Sequence, residues 1–246
     1  GRLARGLGEA LRRGALCAHR QHHRPHLRRP PVREPLALRR ERQVRRTGQR
    51  LARTGCREAR ELHRLGTPQP VTTAPEIGEF KNSLGQTKFI VIVGTGRYLG
   101  PTDLSDTSQQ SLYAILDGGT FGVPSNVGDI RNAPTCSVVK QTITVLDPTH
   151  RSTSTNTVDF NSDCAWYLDF NPSNDSPGER VNIDPVLQLG VLAVATNVPE
   201  QSVCTLGGTS WLYFFNFLTG TFVSTSSGNV AGTKIGNSIT VGLNTY

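Results

Sequence analysis

An all-β fold is what this sequence predicts, and two observations carry that expectation. Apolar runs at Lys88–Val93, Ser111–Asp117, Val138–Leu146, Ala165–Phe170, Val186–Thr196 and Ser210–Phe217 are rich in Val, Ile, Thr and aromatic residues, and Gly, Pro, Asn, Asp or Ser clusters bound each of them. No stretch combines a helical apolar period with start and stop signals. The strand-forming composition begins only near Gly66, where the chain changes character.

Residues 1–66 hold 19 Arg and 5 Glu for a net charge of +14, whereas residues 67–246 hold 8 Lys plus Arg against 14 Asp plus Glu for −6. The overall +8 and the isoelectric point near 9.7 therefore describe neither part. The first segment contains no Lys, Asp, Asn, Ser, Ile, Phe, Tyr, Trp or Met, so it lacks the bulk from which a core is built. Two regions are predicted: a non-globular Arg-rich segment over residues 1–65, disordered or mispacked, and one mostly-β unit over residues 66–246. No apolar run approaches the roughly 20 residues of a membrane helix, nothing near Gly1 has the order of a signal peptide, and a first residue other than Met reads as a fragment.

Each strand has a local reason. Lys88–Val93 is continuously apolar and runs into Gly94; Ser111–Asp117 ends at a Gly-Gly pair; Val138–Leu146 ends at Asp147-Pro148. Ala165–Phe170 ends at Asn171-Pro172, Val186–Thr196 starts after Asp184-Pro185, and Ser210–Phe217 leads to a Thr-Gly turn. A weak internal repeat relates Ser111-Leu-Tyr-Ala-Ile-Leu-Asp-Gly-Gly-Thr120 to Trp211-Leu-Tyr-Phe-Phe-Asn-Phe-Leu-Thr-Gly220. Strand-then-turn units at such distances suit either two blades of a β-propeller or two similar hairpins of a sandwich.

The residues that carry chemistry argue against an enzyme. Phe89-Ile-Val-Ile-Val-Gly-Thr-Gly-Arg-Tyr-Leu-Gly100 begins like a dinucleotide-binding turn, but the polar loop Pro101–Ser108 follows where a helix N-terminus would be required, and the glycine spacing is one residue too long. The glycines read instead as a tight strand exit. Asp103 with Asp106, and Asp159 with Asp163, are oxygen donors of the type calcium takes, yet neither stretch has an EF-hand pattern, and both read as solvated turn acids. Asp147, His150 and Ser152 lie too close in sequence for a triad and read as a turn; Glu179 and Asp184 form a carboxylate pair only if a pocket unites them. Cys136, Cys164 and Cys204 match no zinc spacing; one disulfide plus a free thiol is allowed, with three pairings open. The Arg-rich segment would adhere to polyanions but lacks the stacking aromatics and modules of a nucleic-acid binder.

Seven pieces occur together in order: Gly66-Thr-Pro-Gln-Pro-Val-Thr-Thr-Ala-Pro-Glu76, Val93–Gly100, Asp103–Tyr113, Trp166–Asp169, Gly178–Val181, Asp184–Leu187 and Gly207–Leu212. Their run over roughly residues 66–220 resembles the C-terminal β-propeller of the PilY1/PilC family, the large type IV pilus tip-associated adhesins and biogenesis factors of Gram-negative bacteria. The resemblance implies a partial β-propeller comprising the last blades, with structural motif positions at Gly94, Gly96, Arg97, Tyr98, Asp103, Trp166, Asp184, Pro185, Gly207, Gly208 and Trp211. It implies a non-enzymatic protein outside the cell or on the pilus or outer-membrane surface, whose partners are type IV pilus components, minor pilins and a host-surface receptor. Its expected roles are pilus assembly, control of retraction, attachment and twitching motility. The family's calcium-binding loop lies upstream of the matched pieces, so no calcium ligand and no other cofactor is expected here. The alternatives to this reading are a secreted β-propeller enzyme or glycan-binding domain, and a basic nucleic-acid-binding protein.

The family carries a strand like Y-A-G-D-L-x-G-N-L-W-R-F-D before the equivalent of Pro68-Gln-Pro-Val-Thr-Thr-Ala-Pro75. Synonymous codons for His26–Arg40, read one nucleotide later, allow T-Y-A-G-H-L-S-A-N-L-W-R-F-D, and the same shift over Leu51–Leu62 allows W-H-A-P-A-A-A-K-L-A-N-F. Residues 1–65 are therefore expected to be an out-of-frame translation, which would leave the propeller without its earlier blades, with uncovered faces and low solubility.

Overall fold

The computed structural model describes residues 62–64, 67–117, 130–133, 136–200 and 207–244. For residues 1–61 the expectation of a non-globular Arg-rich segment lies outside the described residues, as does any reading of Cys204. The described chain is all-β. Strands β1 (His63–Arg64) and β2 (Thr67–Pro68) form a short antiparallel pair. Ten more build one sheet: β3 (Glu76–Lys81), β4 (Thr87–Gly94), β5 (Ser111–Asp117), β6 (Ser137–Asp147), β7 (His150–Thr153), β8 (Asp163–Asp169), β9 (Val186–Gln188), β10 (Val191–Pro199), β11 (Gly208–Asn216) and β12 (Gly232–Gly236).

Their spatial order is β3-β4-β5-β8-β6-β7-β12-β11-β10-β9. The pivot is β6, which pairs parallel to β8 over Ser137–Thr142 and antiparallel to β7 over Ile143–Asp147. The sheet folds about this strand into two halves that face one another. Its end strands β3 and β9 come close in space, so the sheet nearly closes on itself. Gly78 of β3 belongs to that closure: a Cβ there would lie 2.5 Å from the Phe217 ring, so only glycine admits the aromatic side chain.

Period-two alternation explains the core. Ile90 and Ile92 of β4, Leu112, Ala114 and Leu116 of β5, and Trp166 and Leu168 of β8 point to the inside of the fold. From the other half, Leu192 and Val194 of β10 and Trp211, Tyr213 and Phe215 of β11 meet them there. Fully burying one such aliphatic or aromatic side chain stabilises by roughly 1.5–3 kcal/mol. The alternate residues Val93, Tyr113, Ile115 and Ala165 join Leu62, Val71 and Ile130 in a second cluster on the outer side of the first half. This double burial is why β5 and β8 read as nearly continuous apolar runs.

All six expected runs are strands, with one difference. Val186–Thr196 is a hairpin rather than a single strand, because Leu189 (φ 50°) and Gly190 (φ 82°) both adopt left-handed conformations and turn the chain. A leucine at such a position gives no turn signal. β3, β7 and β12 were not expected; their charged, polar or Gly-rich composition hides them. The disulfide Cys136–Cys164 is formed, with Cα atoms 5.7 Å apart. Cys164 is the extra residue of a bulge in β8, since Ser137 pairs with Asp163 and Val138 with Ala165.

Candidate functional site

The pieces around Pro70–Ala74, Gly94–Asp103, Gly178–Val181 and Asp184 converge in a single structural knot at the exit of β4. Gly94 and Gly96 sit where the segment Gly178–Val181 crosses the strand end. A Cβ on Gly94 would lie 2.5 Å from the Val181 side chain, and one on Gly96 would lie 2.5 Å from Cβ of Arg180. The backbones are stitched there: Val181 N–H donates to the Thr95 carbonyl at 3.0 Å, and Gly96 N–H donates to the Pro70 carbonyl at 2.8 Å. The glycine signature thus serves close packing of two chain segments.

Asp103 and Arg180 hold the loop that follows. Asp103 is buried, which corrects its reading as a solvated turn acid. Its carboxylate accepts Arg97 Nε at 2.7 Å and the N–H groups of Leu99 and Gly100 at 2.8 and 3.1 Å. Burial opposes its ionisation, but those donors outweigh it and lower its pKa. Arg180 is also buried and points its guanidinium at backbone carbonyls: Gly178 at 2.7 Å, Arg97 at 2.8 Å, Asp103 at 2.7 Å, and Asp106. Burial lowers the pKa of this guanidinium. Tyr98 is half-buried beside these groups in sequence and Arg97 is exposed. Asp184 accepts Ala74 N–H at 2.8 Å, tying the Pro-Gln-Pro-Val-Thr-Thr-Ala-Pro piece to the knot, and Pro185 beside it is buried.

Two buried arginine clamps accompany the knot, and neither was expected. Arg151 and Glu179 have no solvent exposure and meet at 2.7 Å between the two halves. Glu179 also accepts Ser176 Oγ at 2.6 Å, Thr196 Oγ1 at 2.7 Å and the Tyr213 hydroxyl at 2.8 Å. Arg151 donates further to Tyr213, to Ser176 and to Asp175, and lies 3.5 Å above the Trp211 ring. Burial would lower the Arg151 pKa, but Glu179 and Tyr213 raise it and keep the guanidinium charged; burial and then Glu179 push Tyr213 well up, so its hydroxyl stays protonated.

The second clamp lies on the outer side of the first half. Arg131 bonds Asp169 through both terminal nitrogens at 3.1 and 2.6 Å and lies over the Tyr167 and Tyr113 rings at 4.1 and 5.3 Å. It also donates to Ser111 Oγ at 2.7 Å and to the Tyr113 hydroxyl, which in turn donates to Gln69. Local sequence carries one signal for these clamps: the repeat places a tyrosine in the third position of both aromatic strands, a polar tip inside an apolar run.

The remaining motif positions are packing residues. Trp166 is fully buried and donates its indole N–H to the Phe217 carbonyl at 3.1 Å; Gly220 (φ 69°) lets the chain pass against its ring. Gly208 allows β11 to approach the Val198 carbonyl and Ile239, and Gly207 precedes it at the strand entry. Other candidates resolve into local structure. Asp147 caps the β6–β7 turn by accepting the N–H groups of Thr149 and His150; Thr149 and then His150 lower its pKa to about 2. Ser152 donates to the Asn229 carbonyl, so the three residues make a hairpin in which His150 and Ser152 belong to β7, not a loop. Glu179 is committed to Arg151 and Asp184 to Ala74, so the imagined carboxylate pair belongs to two separate networks. Asp159 caps Asn161, Asp106 caps Ser108, and Asp163, which is buried rather than solvated, accepts Asp159 N–H and Ser137 Oγ. Among the described residues no group of three or more His, Cys, Asp or Glu is placed to hold a metal ion.

A nearly closed all-β sheet with blade-like halves, cross-tied by buried arginines, defines an all-β protein of the partial β-propeller class. The chain is 32% identical over 174 residues to type IV pilus biogenesis factor PilY1 of Pseudomonas aeruginosa, a match covering 63% of this chain and 15% of that protein. It is 29% identical over 167 residues to a PilY1 homolog of Xylella fastidiosa, covering 63% and 11%. The crystal structure of the P. aeruginosa PilY1 C-terminal domain superimposes with a TM-score of 0.52 and 26% identity, over 69% of this chain and 40% of that one. No family model matches. The chain is thus similar to PilY1 proteins over 63% of its length and spans 11–15% of the length of these relatives. Those relatives are named as pilus biogenesis factors and not as enzymes.

Proposed function

We propose that this chain is the C-terminal propeller part of a type IV pilus assembly and tip adhesin protein, acting outside the cell in pilus biogenesis, control of retraction, surface attachment and twitching motility. The observation that carries the reading is the knot at the β4 exit: pieces scattered from Pro70 to Asp184 in the sequence converge through Gly94, Gly96 and Arg180, and the solved PilY1 C-terminal domain matches 69% of the chain. The Cys136–Cys164 disulfide supports an oxidising compartment. The partners under this reading are minor pilins and other pilus components, and a host-surface receptor. Deleting the intact locus should remove surface pili and twitching, with recovery on complementation; normal piliation in the deletion strain overturns the reading.

Residues 1–65 belong to the proposal as an out-of-frame product of the same gene. Sequencing the coding DNA across Gly66 should place the N-L-W-R-F-D strand in the adjacent frame; one continuous frame without that motif would make the Arg-rich segment authentic.

A further inference from the structure

The end of β10 and the Gly208–Ser210 start of β11 build a further polar constellation beside the knot. Asn197 of β10 and Ser210 of β11 lie directly opposite one another in the strand register, and both are fully buried. Strand alternation puts them on the same side as Ala193, Ala195, Leu212 and Phe214, so an amide and a hydroxyl stand together in an otherwise apolar row. The backbone of Asn197 is fixed by the crossing segment: its N–H donates to the Arg180 carbonyl at 2.9 Å, and its carbonyl accepts Arg180 N–H at 3.0 Å.

β12 follows β11 only as far as Gly236, opposite Ser210, and the tail after it, residues 237–240, belongs to no strand and lies over this pair. Thr240 offers both of its main-chain groups to Asn197: its N–H donates to Oδ1 at 2.9 Å, and its carbonyl accepts Nδ2 at 2.9 Å. The side-chain amide thereby reads the tail as a neighbouring peptide group would. Nδ2 also donates to Asn182 Oδ1 at 2.9 Å. Ser210 Oγ accepts the same Thr240 N–H at 2.9 Å and lies within bonding reach of Asn197 Oδ1 and of the Ser238 carbonyl. One side chain of the tail is seated: a Cβ on Gly208 would lie 2.5 Å from Cδ1 of Ile239, so glycine makes the place for it. Val241, next in sequence after this short grip, is 93% exposed.

We propose that Asn197, Ser210 and Gly208 form a socket for extended peptide, that residues 238–240 hold it in cis, and that an extended segment of another polypeptide occupies it by displacing this tail. The class of ligand follows from the contacts. Main-chain groups supply the hydrogen bonds, which any extended residue except proline can offer, and the place at Gly208 selects a branched aliphatic side chain one residue earlier. The backbone bonds that build the socket run between β10, β11 and Arg180 and include none from the tail, so the socket stays formed during exchange. An empty socket would leave the buried Asn197 amide and Ser210 hydroxyl without their partners, which favours replacement of the tail over its simple release. The tether gives the tail an effective concentration of order millimolar, so the incoming segment has to be held nearby by other contacts of its own protein. The proposal goes beyond the pilus reading and does not rest on it.

The test uses the full chain and a fluorescein-labelled peptide with the sequence of residues 236–244, followed by fluorescence anisotropy. Ile239→Asp in the chain puts a carboxylate beside Gly208 and loosens the resident tail, so this variant should bind the unaltered peptide at least about tenfold more tightly than wild type does. The peptide carrying Ile239→Asp, or Thr240→Pro, should bind at least about tenfold more weakly, since the first spoils the place at Gly208 and the second removes the N–H that Asn197 and Ser210 accept. Asn197→Ala added to the Ile239→Asp chain should abolish binding. Equal affinity of wild type and the Ile239→Asp chain for the peptide overturns the proposal, as does no binding by an Ile239→Asp chain whose circular dichroism spectrum is unchanged. Binding that survives Asn197→Ala, or that treats the three peptides alike, also overturns it. If the Ile239→Asp chain does not fold, Thr240→Pro in the chain takes its place in every arm.

Discussion

Arg151 Nη1 and Glu179 Oε2 meet at 2.7 Å with no solvent contact, joining β7 to the segment that crosses the β4 exit. Removing one member strands a charge in the core. Arg151→Met is expected to destabilise by about 3–5 kcal/mol, and Arg151→Met combined with Glu179→Gln should recover part of that loss. Urea denaturation of the two variants measures it; equal stability of the single variant and wild type contradicts the clamp.

Glycines of one motif should differ sharply in tolerance. Gly94→Ala brings a methyl within 2.5 Å of Val181, and an overpacked core site costs about 1–3 kcal/mol. Gly100→Ala meets nothing within 4 Å, and its φ of −160° suits any residue, so its effect should stay within about 0.5 kcal/mol. Thermal melts of the pair decide; similar losses would remove the crossing segment as the reason for Gly94.

The Cys136–Cys164 bridge closes a loop with a sequence separation of 28. On the chain-entropy model such a loop contributes about 3–4 kcal/mol. Cys164→Ala, or a dithiol reductant, should lower the melting temperature and raise amide exchange around Ile130–Asn132, the turn that carries Arg131. Unchanged exchange there would separate the bridge from the outer clamp.

Asp103 supplies an acid-labile contribution. Its folded pKa is lowered, so its stabilisation is fully present above the unfolded carboxylate value near 3.9 and is lost as pH falls through the lower folded value. The stability difference between wild type and Asp103→Asn should be constant near neutral pH and shrink below about pH 4. A difference that grows on acidification would reverse the assigned direction.

Arg180 holds its loop through carbonyls of Gly178, Arg97, Asp103 and Asp106. Lysine keeps the charge but not the fork. Arg180→Lys should therefore raise hydrogen exchange in residues 97–106 while leaving the β10–β11 pair protected; uniform exchange across both regions would instead indicate global loosening.

Strand positions were legible in the sequence because alternation and turn residues act over a few positions, as at Ser111–Asp117, where the expected and observed limits coincide. The all-β class and the change of character near Gly66 follow from composition in the same way. Tertiary structure alone decided which buried polar groups meet: Arg151 reaches Glu179 across 28 positions, Arg131 reaches Asp169 across 38, and Arg180 reaches the Arg97 carbonyl across 83. It also decided that Leu189 turns a hairpin and that Gly94 and Gly96 receive the crossing segment Gly178–Val181. The physical reason is range. Periodicity records which side of its own strand a residue occupies, whereas desolvating a guanidinium requires acceptors whose positions are set by the path of the whole sheet.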